Sequence, residues 1–564
     1  MKFCDFKYER PNYEEVKEKL SKLIKELDGA NSSKEQIETI EKINKIRNNI
    51  ETESTIVSIR HSIDTTDKFY EEEVGYWDEN GPLYEELTSS FYKSLVNSKF
   101  KEDLKKEYGK QLFNIAEYSL RAFSKDIIED LQNENKLTTE YVKLIASAKI
   151  DFEGEERNLS GLTPFMQSTD REVRKKALKA KWDFFKDNEK EIDRIYDALV
   201  KVRDKIAKKL GFKNFVELGY IRMMRSDYNP QMVSNFRNQV LKYIVPEAMK
   251  LYNRQSKRLG LDKLYFYDEA LEYLTGNALP KGNSQWIVDN GKKMYSELSK
   301  ETKEFFDFMT KEELMDLVTK KGKAGGGYCT YMPDYKAPFI FSNFNGTSGD
   351  IDVLTHEAGH AFQIYNSSWI KFPELNFPTY ESCEIHSMSM EFFTWPWMNL
   401  FFKEDTDKYK FTHLSSAIKF IPYGVSVDEF QHFVYENPKA TAEERKNVWR
   451  KIEKKYLSNR DYEGIDILER GCFWFQQSHI FCSPFYYIDY TLAQICALQF
   501  WKKDRENHKK AWEDYLSICK VGGTKSFLEL VNLGGLKSPF DSDCIESIIG
   551  TITDYLKEID DKEL

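Results

Sequence analysis

Five consecutive residues constrain this chain more than anything else in it. His356-Glu357-Ala358-Gly359-His360 spells H-E-x-x-H. Residues four apart share a face only on a helix, so the motif requires one. A helix there points two imidazoles at one position, with Glu357 beside them. Zinc suits such a pair, since it accepts nitrogen ligands at about 2.0–2.1 Å. Glu357 can then reach a water at the metal without being a ligand itself. The chain has only eight histidines in 564 residues, so this spacing is rare by chance. The bland alternative is an exposed helix with two solvated histidines. Against it stand the flanking Val353, Leu354, Ala361, Phe362 and Ile364, which imply burial.

A catalytic zinc needs a third protein ligand and an open position. The sequence H-E-x-x-H-x-x-G-x-x-H is absent, because Gln363 and Asn366 stand where its Gly and His would be. A carboxylate from a following helix is the other solution. Pro378–Phe393 offers Glu381, Glu384 and Glu391. Glu384 and Glu391 are two turns apart on one face, whereas Glu381 reads best as a surface charge. Spacing alone does not choose among the three.

The rest of the chain supplies a helical setting. Tyr13–Leu27, Ser33–Arg60 and Asp170–Phe185 place apolar residues three and four apart among Lys and Glu, the pattern of helices buried on one face. Near Lys321 the character changes. Lys321–Asp350 is rich in Gly, Pro and Asn, with Gly325–Gly327 as a flexible turn. Pro338–Phe344 reads as a short strand, and its proline fits a strand start or a sheet edge. Ser348, Gly349 and Asp350 offer N-cap chemistry for a helix running to about Asn366.

Composition excludes several classes. An aromatic content of 15% rules out disorder. Lys+Arg of 83 against Asp+Glu of 93 leaves a net charge of −10, which argues against a nucleic-acid partner. The N-terminus has no apolar secretory core. The least charged stretch, Gly471–Ile488 and Tyr490–Trp501, contains Gln476, Gln477, His479, Pro484 and is interrupted by Asp489, so it reads as a buried helix and not a membrane span. Eight cysteines without C-x-x-C spacing point to reduced thiols in a cytoplasm. Gly522–Ser526 lacks the full phosphate-loop frame. His61, His413, His432 and His508 have no metal-like spacing, and His386 is left without a role.

Taken together, HEAGH, the preceding PFIFSNFNGTSGDIDVLT and the following ESCEIHSMSME resemble the M3 metallopeptidases. The bacterial oligoendopeptidase F-like enzymes, relatives of thimet oligopeptidase, are the nearest group. The resemblance covers roughly the C-terminal two-thirds. It implies that the Glu opening E-x-x-S-x-x-x-E, here Glu384, is the third zinc ligand, with Glu391 and Asp352 orienting a ligand histidine. It also implies that His479 and Tyr487 stabilise the oxyanion, with Tyr490 placing the substrate. A one-residue gap leaves Tyr486 as the alternative to Tyr487.

The implied fold is mainly α, of the gluzincin type. Two helical lobes flank a deep substrate cleft, and a small β-sheet lies beside the HEAGH helix. An N-terminal helical region is expected over 1–190 and the catalytic region over 191–564. The implied activity is zinc-dependent endopeptidase cleavage of short peptides by a metal-activated water, with Glu357 as general base. One zinc per chain is implied, with neither membrane nor nucleic acid as a partner. The strand is expected to add the substrate backbone as a further strand, with Phe341 and Asn343 in contact with it. Two other readings share the sequence: a zinc carboxypeptidase or dipeptidase, and a helical peptide-binding protein without catalysis.

Overall fold

In the computed structural model, which describes residues 1–564, the alternation of charged and apolar residues produces helices throughout, and 71% of the chain is helical. Tyr13–Gly29, Ser33–Ile63 and Lys68–Val96 pack with the shorter Lys101–Tyr108 and Lys110–Ala122 helices. Each of the first three begins at a side-chain cap, from Asn12, Ser32 and Asp67 respectively. These helices bury an apolar core of their own, running from Leu20 to Ala116 and closed by Phe372 and Leu375.

Every later helix joins a second, continuous core. Leu137, Tyr141, Trp182 and Phe185 already belong to it. Phe3, Phe6, Ile56 and Ile59 from the start of the chain belong to it as well, so the N-terminal helices contribute to both cores.

Two small sheets interrupt the helices. Ile150–Phe152 and Glu155–Arg157 form a hairpin, unanticipated in the sequence, whose turn residues Glu153 and Gly154 both have positive φ, 55° and 77°. The second sheet has three strands in the order Met315–Val318, Ala337–Phe344, Tyr328–Met332. Ala337–Phe344 runs parallel to the first and antiparallel to the last. The strand read from Pro338–Phe344 is thus central, not an edge. Pro338 is tolerated because the parallel partner begins only opposite Ile340, so the sheet is two strands wide there.

The HEAGH helix spans Gly349–Ser367 and follows the central strand directly. Ser348 makes no side-chain cap. Instead the Asp350 carboxylate reaches back to the Asn345 and Gly346 amides, each at 2.9 Å. The Tyr380–Phe393 helix crosses this helix and is buried nearly all round. Gly359 makes that crossing possible: a Cβ there would lie 2.6 Å from Ser387 Cα and 2.7 Å from His386 O. Thr406–Glu436 and Tyr487–Val521 enclose the pair, the latter as two helical runs joined at a non-helical Asn507. Of the low-charge stretch, residues 490–501 lie in the buried start of Tyr487–Val521, whereas residues 471–486 form the short Phe473–Gln476 and Ser478–Cys482 helices and the turns beside them, not one helix. No helix of the chain is long and apolar enough to cross a membrane.

Candidate metal centre and active site

The crossing of the two helices sets the site. Ligand atoms of His356, His360 and Glu384 all lie within 4.8 Å of one another. Glu384 Oε2 stands 3.1 Å from His356 Nε2 and 3.4 Å from His360 Nε2. Burial alone would raise the Glu384 carboxyl, but His360 and His356 hold it well below the usual carboxylate range. Burial likewise opposes charge on His356, yet Glu384 and Glu391 lift it well above the usual imidazole range. Two imidazoles and a 1% exposed carboxylate suit a divalent metal, and the donor set suits zinc.

Neighbours fix two of the three ligands, Glu384 and His356. Ser387 Oγ donates to Glu384 Oε2 at 2.9 Å, and Tyr486 OH donates to Glu384 Oε1 at 2.5 Å. His356 Nδ1 donates to Glu391 Oε1 at 2.7 Å, which turns its Nε2 toward Glu384. Glu391 Oε2 also accepts from His413 Nε2 at 2.7 Å. Trp395 Nε1, a donor only, is 3.1 Å from His413 Nδ1 and places the His413 proton on Nε2. Glu391 therefore orients His356, as the resemblance implied. Asp352 does not: it accepts from Tyr409 OH at 2.6 Å.

Glu357 is buried, and burial raises its carboxyl above the ordinary value. Its Oε2 has no protein partner, whereas Oε1 lies 3.5 Å from where a Cβ on Gly327 would stand. The glycine segment thus passes directly beside the carboxylate. A cavity of about 500 Å3 opens there, lined by Gly326, Gly327, Asp352, Val353 and Tyr409 among others.

Opposite the ligands lies the His479–Tyr490 segment. Gln477 Nε2 donates to His479 Nδ1 at 2.8 Å, with its carbonyl held by Tyr423 OH at 2.8 Å. Burial pushes His479 down to about 4, against the pull of Glu384, so the ring is neutral at pH 7. A neutral ring accepting at Nδ1 carries its proton on Nε2. That N–H meets Tyr490 OH at 3.0 Å. Glu384 and Glu357 both act electrostatically on Tyr490.

Five expectations change. Tyr486 bonds Glu384 and Tyr490 bonds His479, whereas Tyr487 packs edge-on against Phe420, Tyr423, His479 and Tyr490 and makes no hydrogen bond to the ligand cluster. Phe341 is fully buried under Tyr328, with ring centroids 4.8 Å apart, and touches no cleft. Asn343 spends its amide donors on Ala324 O and Gly326 O, both at 2.8 Å, and so braces the glycine segment. Ala337–Phe344 has strands on both sides, so Met315–Val318 and Tyr328–Met332 are the two edge strands. Glu381, read as a surface charge, is instead 1% exposed. His386 is a core residue, with Nδ1 bonded to Ser382 O at 2.7 Å. His413 and Gln477 were invisible as site residues, because nothing in their local spacing marks them.

Comparison with known proteins agrees with this geometry. Residues 3–123 match the peptidase M3 N-terminal domain, and residues 164–549 match peptidase family M3. An oligoendopeptidase F homolog of Borreliella burgdorferi is 27% identical over 425 residues, covering 72% of this chain and 70% of the relative. A solved structure of PZ peptidase A with an inhibitor is 59% identical, with full coverage of both chains and a TM-score of 0.99. A Bacillus anthracis strain Ames structure described as an oligoendopeptidase F is 58% identical at a TM-score of 0.94, covering 100% of this chain and 99% of that one. The family match takes in well over half of the sequence and contains the whole ligand cluster, so the chain belongs to peptidase family M3 and is a metalloendopeptidase.

Proposed function

We propose that this chain is a zinc-dependent oligoendopeptidase acting on internal bonds of short peptides. His356, His360 and Glu384 would hold the metal. Bound there, zinc supplies Lewis acidity toward the scissile carbonyl and toward a water. Glu357 takes a proton from the attacking water and returns it to the leaving amine. Burial, which raises its carboxyl, suits both halves of that task. His479 Nε2–H and the Tyr490 hydroxyl donate to the oxyanion, because these two groups face the ligand cluster together. Tyr486 acts through Glu384, whose second oxygen it holds. The free edge of Tyr328–Met332 begins beside Gly327 and Glu357, and it can take an extended substrate as an added strand. Backbone pairing of that kind tolerates many sequences.

The observation that carries this reading is the buried Glu357 with an unpartnered oxygen, next to a three-ligand cluster. The test is hydrolysis of a quenched fluorescent peptide of about nine residues, with the cut mapped by mass spectrometry. An internal cut, abolished by chelator and restored by zinc, is expected. Glu357→Gln should keep zinc and lose turnover. Normal activity of that variant, or release of terminal residues only, would overturn the reading.

A further inference from the structure

Three distant segments converge on the backbone between His479 and Tyr490. Arg203, on the Glu189–Lys209 helix, donates from Nη2 to Phe481 O at 2.5 Å. Arg225, just past the Phe215–Arg222 helix, donates from Nη2 to Phe485 O at 2.5 Å and to Asp489 Oδ1 at 2.6 Å. Gln431, on Thr406–Glu436, accepts from Phe485 N–H at 2.6 Å. Phe485 is thus gripped at both backbone groups, in a conformation with φ of +70°. That region is strained for an aromatic residue and persists only where the surroundings impose it. The ring is accommodated because position 219 is glycine: a Cβ there would sit 2.5 Å from Phe485 Cδ2.

The arginine grip is deeply buried. Arg225 and Asp489 side chains are both 0% exposed. Arg225 has no partner for Nε or Nη1 and lies over the Tyr220 and Tyr228 rings, 4.5 and 5.4 Å from their centroids. A buried ion pair gains little stability over apolar packing of the same volume. What this one does achieve is geometric. Its two acceptors are the strained turn and the first turn of the Tyr487–Val521 helix, so one planar group ties together the two pieces that carry His479 and Tyr490.

We propose that Arg225 is a positioning residue for the oxyanion donors, with Arg203 as a second anchor four residues upstream. The inference rests on the reading of His479 and Tyr490 given above. Arg225 touches neither substrate nor metal ligands. It acts by holding Phe485 in its strained turn, so that His479 Nε2 and Tyr490 OH face the ligand cluster together.

The test is a double-mutant cycle in the zinc-loaded full chain. Arg225→Lys keeps the charge opposite Asp489, but its side chain is one bond shorter, so its nitrogen falls short of the two acceptors that Arg225 Nη2 reaches. It should lower kcat about a hundredfold with KM and zinc content nearly unchanged, the loss typical of a 1 Å misplacement. In a background that lacks both donors, Tyr490→Phe with His479→Ala, the same change should cost less than about twofold, since both groups it positions are already gone. Full kcat in Arg225→Lys, or an equal loss in both backgrounds, would overturn the proposal. Should Arg225→Lys not fold, Arg225→Met with Asp489→Asn removes both buried charges and is read by the same two criteria. Tyr490→Phe alone separates the two levels: a full rate there would sink the oxyanion reading and this inference with it. A slow Tyr490→Phe beside a fast Arg225→Lys sinks the inference alone.

Discussion

Gly359 shows how much can depend on a residue that the motif leaves unspecified. In H-E-x-x-H it is a spacer, yet it sets the distance between two helices. A methyl group would stand 2.6 Å from Ser387 Cα, and backbone cannot yield as a flexible side chain does. Gly359→Ala must separate the helix bearing His360 from the helix bearing Glu384. A displacement of order 1 Å should lower kcat about a hundredfold and weaken zinc binding measurably. Competition against a chelator reads the second effect, and wild-type zinc affinity would refute the argument. His386, whose backbone lies at the same crossing, belongs to stability. Burial pushes its ring down to about 4, from an ordinary 6.5. Between these values the unfolded chain binds the extra proton, so stability present above pH 6.5 is lost as pH falls toward 4. The loss from this one group is roughly 3 kcal/mol. His386→Asn should flatten the acid limb of a denaturant-midpoint profile over that window. Parallel profiles for the two proteins would exclude His386 as the cause. The ligands His356 and His360 were legible at this scale because helix periodicity is local. Gly359 and His386 were not, because their roles depend on what a second element brings against them.

Elements brought the same lesson to the orienting network. The Tyr380–Phe393 helix was legible as a supplier of carboxylates, but Glu381 and Glu384 are buried and Glu391 is only 14% exposed. Charge pattern suggests a solvated face there, and the fold overrides it. Glu391 is satisfied by His356 and His413, so its buried charge acquires a function. Glu391→Gln keeps the shape while removing the charge that fixes the His356 tautomer. Zinc affinity should fall about 10- to 100-fold, with the change read by metal competition. Retention of full affinity would show that the His413–Glu391–His356 chain is structural only. The strand assignment failed differently. An aromatic run marks Pro338–Phe344 as a strand, but sequence does not say how many partners it has. Its central place removes Phe341 from the substrate and leaves the edges to Met315–Val318 and Tyr328–Met332. The His479–Tyr490 segment was legible as a unit. Which tyrosine faces the metal depends on a strained φ at Phe485, and no periodicity reports that.

At the scale of the whole molecule, the N-terminal helices have an apolar core of their own, and one buried ion pair stands where that core meets the loop after the HEAGH helix. Phe372 and Leu375, in the loop after the HEAGH helix, complete the core of the N-terminal helices. Between them Glu374 accepts from Arg47 and from Tyr92, which lie on Ser33–Ile63 and Lys68–Val96. Arg47 and Glu374 side chains are only 10% and 12% exposed. Burial opposes charge on Glu374, but Arg47 keeps its carboxyl below the usual range. Glu374→Ala leaves Arg47 buried without its partner, at a cost of about 3–5 kcal/mol. Because the partner sits on the far side of that junction, the cost should fall on docking of the N-terminal helices. Hydrogen exchange should therefore accelerate in Ser33–Ile63 and Lys68–Val96, while the buried half of Tyr487–Val521 keeps its protection. Zinc content should survive, since none of the ligands lies in the N-terminal core. Uniform acceleration across both cores would instead mean that the 564 residues open as one cooperative unit. The site's geometry would then depend on the N-terminal helices as strongly as on the helices that carry its ligands.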